Sequence, residues 1–333
     1  MRRSLIALIL FLPMLAVPKC WAWGCVGHQV VAYIAAANLN TAAAAKVTDL
    51  LSDAEYGNFK RFCSPTGLGK IETFATWADD ARTDANAAWH FWDVPLAVKT
   101  AAMPKYCDEG CVVSALKAQV AVLKDPTSSR IDQQHALMFV IHFVGDAHQP
   151  MHIVDNGDRG GNCVPVDFVF KGQTNNTSEG KDKNGNPSGS YSPNLHSIWD
   201  SSIIETMTGV EKAGNRDKLT QAFADSVAKQ YAAKIKAATA KKVNPDTDFE
   251  KWALATHALA NPKSYTAMPT AIPVDPDPQT LKSCLGVSDH FVTLHEVAQG
   301  DFITKAQPVI KQQLALAGGR LAATLNSIWP ASN

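Results

Sequence analysis

His142 and Asp146 stand four residues apart at the end of an apolar run from Leu137 to Val144, and His148 and His152 follow directly. Four residues make about one helical turn, so the pair shares a helix face. The run is apolar nearly all round, which predicts a buried helix. An imidazole or carboxylate buried there is costly unless it is paired or ligates a metal. Pro150 is expected to end the helix and bring His152 in from a new direction. A metal ion inside a helical core satisfies all of these constraints together.

The theme recurs along the chain. Asp79 and Arg82 lie in Trp77-Ala-Asp-Asp-Ala-Arg82, His90 lies in Trp89-His-Phe-Trp-Asp93, and His196 and Asp200 repeat the four-residue spacing. Histidines with hard carboxylates and no obligatory thiolate suit zinc ahead of manganese or iron. Arg82, one turn from Asp79, is a candidate guanidinium for a phosphate. Its plainer reading is a surface charge paired with Asp79 or Asp80. His148 and His135 read as hydrogen-bonded structural histidines, and His257, His290 and His295 carry no role.

Arg2 and Arg3, the apolar stretch Leu5 to Val17, and small residues around Cys20-Trp-Ala22 read as a signal peptide over residues 1–22. The stretch is too short for a comfortable membrane span, and no later segment offers one. A secreted or periplasmic monomer without stable membrane anchoring is expected. Cleavage exposes the α-amine of Trp23, whose pKa near ~8 lets a metal displace its proton. The amine and carbonyl of Trp23 with His28 can then chelate an ion. Taken alone, the plainer reading wins, with Trp23 the first core residue and His28 a polar residue at a helix start.

Cleavage also removes three of the 31 basic residues, leaving 28 against 31 acidic ones, and one of the seven cysteines. That charge argues against a duplex-binding protein, which neutralises many phosphates with a basic stripe. Six cysteines in an exported chain imply disulfides. Cys107 and Cys111 read as a local bridge, whereas Cys25, Cys63, Cys163 and Cys284 leave three pairings open.

The elements that must position these residues are mainly helical. Apolar spacing near 3.6 predicts helices at 29–38, 42–51, 111–123, 132–149, 217–238, 248–260 and 291–329, the last with a break allowed. Prolines at 126, 150, 245, 262 and from Pro269 to Pro278 punctuate them. Val164 to Phe170 alternates and predicts a strand, one arm of a small hairpin. Gly172 to Ser192, rich in Asn, Gly, Ser and Lys, predicts an exposed loop. Its Lys181 and Lys183, with Lys171, read as solvated. Asn175 and Asn176 are glycosylation acceptors in a host that glycosylates. The fold class is a single all-α domain over 23–333 with a small β-hairpin and disulfides.

These segments together resemble the zinc-dependent single-strand-specific nucleases and 3′-nucleotidases, the S-one/P-one nuclease family, distantly related to zinc phospholipases C. The matching motifs run in order over essentially the whole mature chain. They are Trp-Gly-x3-His from Trp23, Ala-Asp-x2-Arg ending at Arg82, His-Phe-x-Asp ending at Asp93, His-Phe-x-Gly-Asp-x-His-Gln-Pro-x-His ending at His152, Gly-Gly-Asn ending at Asn162 and Asn-Leu-His-x2-Trp-Asp ending at Asp200.

The resemblance implies three zinc ions. One set is Asp79, His90, His142 and Asp146; a second is His152, His196 and Asp200; a third is Trp23, His28 and the bridging Asp146. It implies cleavage of single-stranded DNA and RNA to 5′-phosphate products and action on 3′-nucleotides. Asp79 would orient the attacking water and Arg82 would hold the phosphate. Phe91 would stack on a base and Asp93 would accept from base N–H groups. Their plainer readings are core packing for Phe91 and a turn before Pro95 for Asp93. Trp92 between them is large enough to reshape such a pocket. Rival readings are a zinc phospholipase C or other phosphoesterase on the same scaffold, and a non-catalytic zinc-binding protein.

Overall fold

The computed structural model describes residues 23–59, 63, 70–98, 105–107, 110–170, 173–210, 215–281, 283–285 and 296–331. The expected signal peptide, Lys171, His290 and His295 lie outside the described residues.

The chain opens with α1 (Cys25–Ala36) and α2 (Thr41–Ser52), then the one-turn α3 (Trp77–Asp80), α4 (Val112–Lys124) and α5 (Arg130–Asp146). The short α6 (Leu195–Ser197) and α7 (Ile203–Thr208) precede α8 (Arg216–Gln230), α9 (Ala232–Thr239), α10 (Pro245–Ala260) and the 29-residue α11 (Gly300–Ile328). The core gathers around α5, where every residue from Ala136 to Asp146 is buried. Helices α1, α4 and α11 pack against it. Ser129 starts α5 by accepting from the backbone N–H of Asp132. α1 and α11 approach closely because Gly318 has no side chain; a Cβ there would meet Ile34 at 2.5 Å.

Several expected helix boundaries are corrected. α5 ends at Asp146, not at Pro150. Gln149 is extended (φ −95°, ψ 117°), as a residue before proline prefers, and Pro150 opens a 3-10 turn through His152. α1 begins at Cys25 rather than Gln29, which takes His28 into the helix. The helix expected over 217–238 breaks at Tyr231, whose hydroxyl donates to the Pro308 carbonyl at 3.1 Å. α10 starts early because Pro245 suits the first helical position and Asn244 caps it.

Strand β1 (Val166–Phe170) confirms the alternating segment and pairs antiparallel with β2 (Gln173–Asn175). The exposed stretch that follows is not an irregular loop. β3 (Ser178–Lys181) and β4 (Pro187–Ser192) form a hairpin, turned where Asp182 Oδ1 accepts from the backbone N–H groups of Asn184 and Asn186. Its stability comes from backbone pairing and turn chemistry, which a hydrophobic pattern does not register. β5 (Glu296–Ala298) pairs parallel with β1, so residues expected at the start of the last helix form a strand instead.

The disulfides are Cys25–Cys63, Cys107–Cys111 and Cys163–Cys284. The local bridge was expected; the other two settle the open pairing. Among the described residues no helix is long and apolar enough to cross a membrane.

Candidate metal centre

Six elements converge on one buried nest of imidazoles and carboxylates. α1 supplies His28, α3 supplies Asp79, and a 3-10 turn at Ala87–His90 supplies His90. The last turn of α5 supplies His142 and Asp146, the turn after it His152, and the segment from α6 into a π-turn (Ile198–Ser202) His196 and Asp200. None of these eight residues is more than 3% exposed.

Asp146 lies between two sets of imidazoles. Its Oδ2 is 3.3 Å from His90 Nδ1 and 3.4 Å from His142 Nε2, while its Oδ1 is 3.3 Å from His28 Nε2. Asp79 Oδ1 lies 3.5 Å from both His90 Nδ1 and His142 Nε2, which are 3.2 Å apart. A tetrahedron with zinc–ligand bonds of about 2.0–2.1 Å has edges near ~3.3–3.4 Å, so these four atoms are spaced as one coordination sphere. In the second set, His152 Nε2 and His196 Nε2 are 3.0 Å apart, and Asp200 reaches them at 3.7 and 3.1 Å.

Backbone carbonyls fix the rings. The Nδ1–H groups of His142, His152 and His196 face the carbonyls of Ala75, His90 and Gly160 at 2.8, 2.8 and 2.7 Å. That leaves each Nε2 lone pair turned toward the cluster, the usual outer support of a metal-ligating histidine. Both nitrogens of His28, Asp79 Oδ1, His90 Nε2 and both oxygens of Asp146 have no hydrogen-bond partner. Buried polar atoms left unpaired are expensive, and a cation accounts for those aimed at the cluster.

The electrostatics agree. Burial pushes Asp146 well above the usual carboxylate range and holds His28 and His90 well below the usual imidazole value. Burial also depresses His142, but Asp146 and Asp79 outweigh it and raise the ring to about 9. Burial, with His196 beside it, lowers His152 to about 4. The nest is therefore poorly served by protons alone, and a divalent cation relieves the carboxylates without charging the rings.

The other expected residues fall around it. Trp23 is fully buried and its indole N–H donates to the Gly145 carbonyl at 2.8 Å. The Arg82 guanidinium lies 5.8 Å from the centroid of the Phe91 ring. Residues 91–94 are alternately half-buried and buried, so Phe91 and Asp93 share one side while Trp92 sits in the core. The indole of Trp92 is thus turned away from the side that Phe91 and Asp93 share. His148 is structural, with Nδ1–H donating to Val144, and His135 stacks on Trp77 rather than hydrogen bonding along its helix.

Two features escaped the sequence reading. Gln149 donates from Nε2 to Asp200 Oδ1 at 2.5 Å and accepts from Met151 N–H, tying the second set to the turn that carries His152. Asp155 and Asp158 build the loop that aims the Gly160 carbonyl at His196: Asp155 Oδ1 accepts from Asp158 N–H and Arg159 N–H, and Asp158 Oδ1 from Gly161 N–H and the Tyr265 hydroxyl. The only signal for them was the run of turn formers from Asp155 to Asn162. Gln149→Ala is expected to weaken zinc at His152, His196 and Asp200 by roughly 10–100-fold, as loss of an outer support does. Chelator competition measures it; an unchanged affinity makes Gln149 a bystander.

A helical domain that buries three groups of histidine and aspartate at ligand spacing is compatible with metal binding. The chain belongs to the S1/P1 nuclease family, whose model matches residues 23–330. It is similar to Endonuclease 2 of Arabidopsis thaliana, at 26% identity over 94% of this chain and 93% of that one. Nuclease S1 of Aspergillus oryzae is 28% identical over 92% of each chain, and Nuclease P1 of Penicillium citrinum 29% identical over 56% of this chain and 60% of that one.

Proposed function

We propose that this nuclease is an exported zinc enzyme that hydrolyses phosphodiester bonds of single-stranded DNA and RNA to 5′-phosphate products and also acts on 3′-nucleotides. The carrying observation is Asp146, one oxygen turned to His28 and the other to His90 and His142. It supports three zinc ions: one on Asp79, His90, His142 and Asp146, one on Trp23, His28 and Asp146, and one on His152, His196 and Asp200. When bound, zinc supplies Lewis acidity that acidifies a water and neutralises charge on the phosphoryl and leaving oxygens.

The remaining work falls to the chain. Asp79 orients the attacking water. Arg82 holds the phosphate through its fork of N–H donors. Phe91 stacks on an unpaired base, which any base satisfies and a paired strand does not offer. Asp93 accepts from base N–H groups. The near-neutral charge of the chain suits a short footprint in which the metals supply most of the positive potential.

The test is an assay of single-stranded DNA and RNA beside a choline phospholipid, with Arg82→Ala in parallel. Cleavage of the strands is expected, falling on the order of 10²–10³-fold in kcat/KM for Arg82→Ala, the scale of one lost charge-stabilising donor. Lipid turnover without strand cleavage would falsify the reading, and a variant as fast as the parent removes Arg82 from the site.

Asp93 gives a pH signature. Burial, with Asp155 nearby, pushes its carboxyl up to about 7. Above that value it offers two acceptors, matching the N–H groups of guanine; below it the protonated group offers one donor and one acceptor. Preference for guanine is therefore expected to fall as pH drops through that value. Asp93→Asn should lack this pH dependence. Rates on guanine and adenine dinucleotides decide it, and parallel profiles for parent and variant exclude Asp93.

A further inference from the structure

A second cavity lies between α9, α10 and α11 and shares no residue with the metal cluster. Its volume is about 400 Å³, within the range of small-molecule sites. Lys234, Lys241, Lys251 and Arg320 line it, with Asp248 as the acidic member of the wall, and Trp252 and Leu316 supply apolar surface. Asp248 is already engaged: Lys251 lies 3.8 Å away and Asn244 N–H donates to it.

Arg320 is the telling residue. Its Nη1 donates to His148 Nε2 at 2.7 Å, and its guanidinium carbon lies 5.1 Å from the centroid of the Trp252 ring. His148 is a neutral partner: its Nδ1–H donates to the Val144 carbonyl at 2.6 Å, which leaves Nε2 as the lone pair that accepts from Arg320. Burial lowers Arg320 itself to about 10. Among the described residues no carboxylate reaches it at salt-bridge distance. A half-buried guanidinium whose direct partners are a neutral ring and an indole face, with Asp248 acting on it only from beyond salt-bridge distance, keeps part of its desolvation cost. An anion in the cavity would offset it, and planar guanidinium donors suit phosphate.

We propose that this cavity is a second nucleotide-binding site that holds a 5′-mononucleotide, with phosphate on Arg320, Lys234 and Lys241 and the base against Trp252 and Leu316. The choice of nucleotide over a bare anion comes from the walls. A small inorganic ion uses the cations but leaves the apolar surface wet, whereas a nucleotide covers both. The assignment rests on the nuclease reading, under which 5′-nucleotides are the product.

The test is equilibrium dialysis of the zinc-loaded enzyme against 5′-AMP, with strand cleavage assayed in parallel. Lys234 and Lys241 are exposed, so the double variant Lys234→Glu/Lys241→Glu disturbs no core. Two equivalents per chain are expected for the parent. The double variant should weaken one of them by at least about tenfold, given the strength of charge-assisted phosphate contacts, and cleave strands at the parental rate. Phe91→Ala should weaken the other. Binding by the double variant that matches the parent overturns the second site. Displacement by inorganic phosphate as readily as by 5′-AMP overturns the nucleotide assignment. Failure of the nuclease reading looks different: no form cleaves strands, while lysine-dependent 5′-AMP binding persists.

Discussion

Asp146→Asn is expected to lose zinc from two of the three sets and to cut kcat/KM on single-stranded DNA by roughly 10³-fold or more, on the order of 4 kcal/mol of transition-state stabilisation. The reasoning rests on the two directions its oxygens take. Oδ1 faces His28 and Oδ2 faces His90 and His142. Asparagine keeps the shape but replaces one oxygen with an NH₂ group, which cannot ligate a cation. Whichever way the amide turns, one set loses its ligand and the other keeps only a neutral oxygen. The fold should survive. Burial disfavours the charged form of Asp146 in the metal-free parent, and asparagine is a neutral side chain of the same shape. Metal-free parent and variant should therefore melt together, while the extra stability conferred by zinc is lost from the variant. Metal analysis, melting curves and initial rates measure the three effects. A variant with a full zinc complement and the parental rate would remove the bridge.

What the sequence made legible follows from how local each signal was. α5 could be read because burial on all sides leaves a continuous apolar run, and one helical turn joins His142 to Asp146. The same spacing anticipated His196 and Asp200, although the chain there passes into a π-turn, and the two side chains still meet at 3.1 Å. The sense of His152 was read correctly and its cause was not, since the helix ends before the proline and Gln149 holds the turn. The supports were invisible for a common reason. Ala75, His90 and Gly160 act on the histidines through backbone carbonyls, which every residue possesses. Gln149 meets Asp200 across 51 positions, and no composition marks it. The β3–β4 hairpin and β5 likewise depend on pairing partners rather than on their own hydrophobic pattern. The clustered histidines and aspartates were legible because burying them is costly, and that cost shows in residue type.

A chain that keeps one residue ahead of Trp23 is expected to lose the zinc shared by His28 and Asp146 and to be slower by roughly 10–100-fold, on the scale of a compromised metal site. Trp23 and Gly24 are firmly seated. Trp23 is fully buried, its indole N–H donates to the Gly145 carbonyl, and Gly24 N–H donates to the Asp200 carbonyl at 2.8 Å. Gly145 must be glycine for this to close, because a Cβ there would meet His28 Nδ1 at 2.9 Å. The segment thus ties the His28 side of the cluster to the His196–Asp200 side. An added residue leaves the indole and these hydrogen bonds available, so the chain should fold. What changes is the Trp23 nitrogen: a free amine gives up a proton to a metal at neutral pH, whereas an amide nitrogen has no available lone pair. The extended protein should hold two zincs, and a protease that trims it to Trp23 should restore the third together with the rate. Equal zinc content and equal rates before and after trimming would take Trp23 off the metal and leave His28 and Asp146 to bind it without the amine.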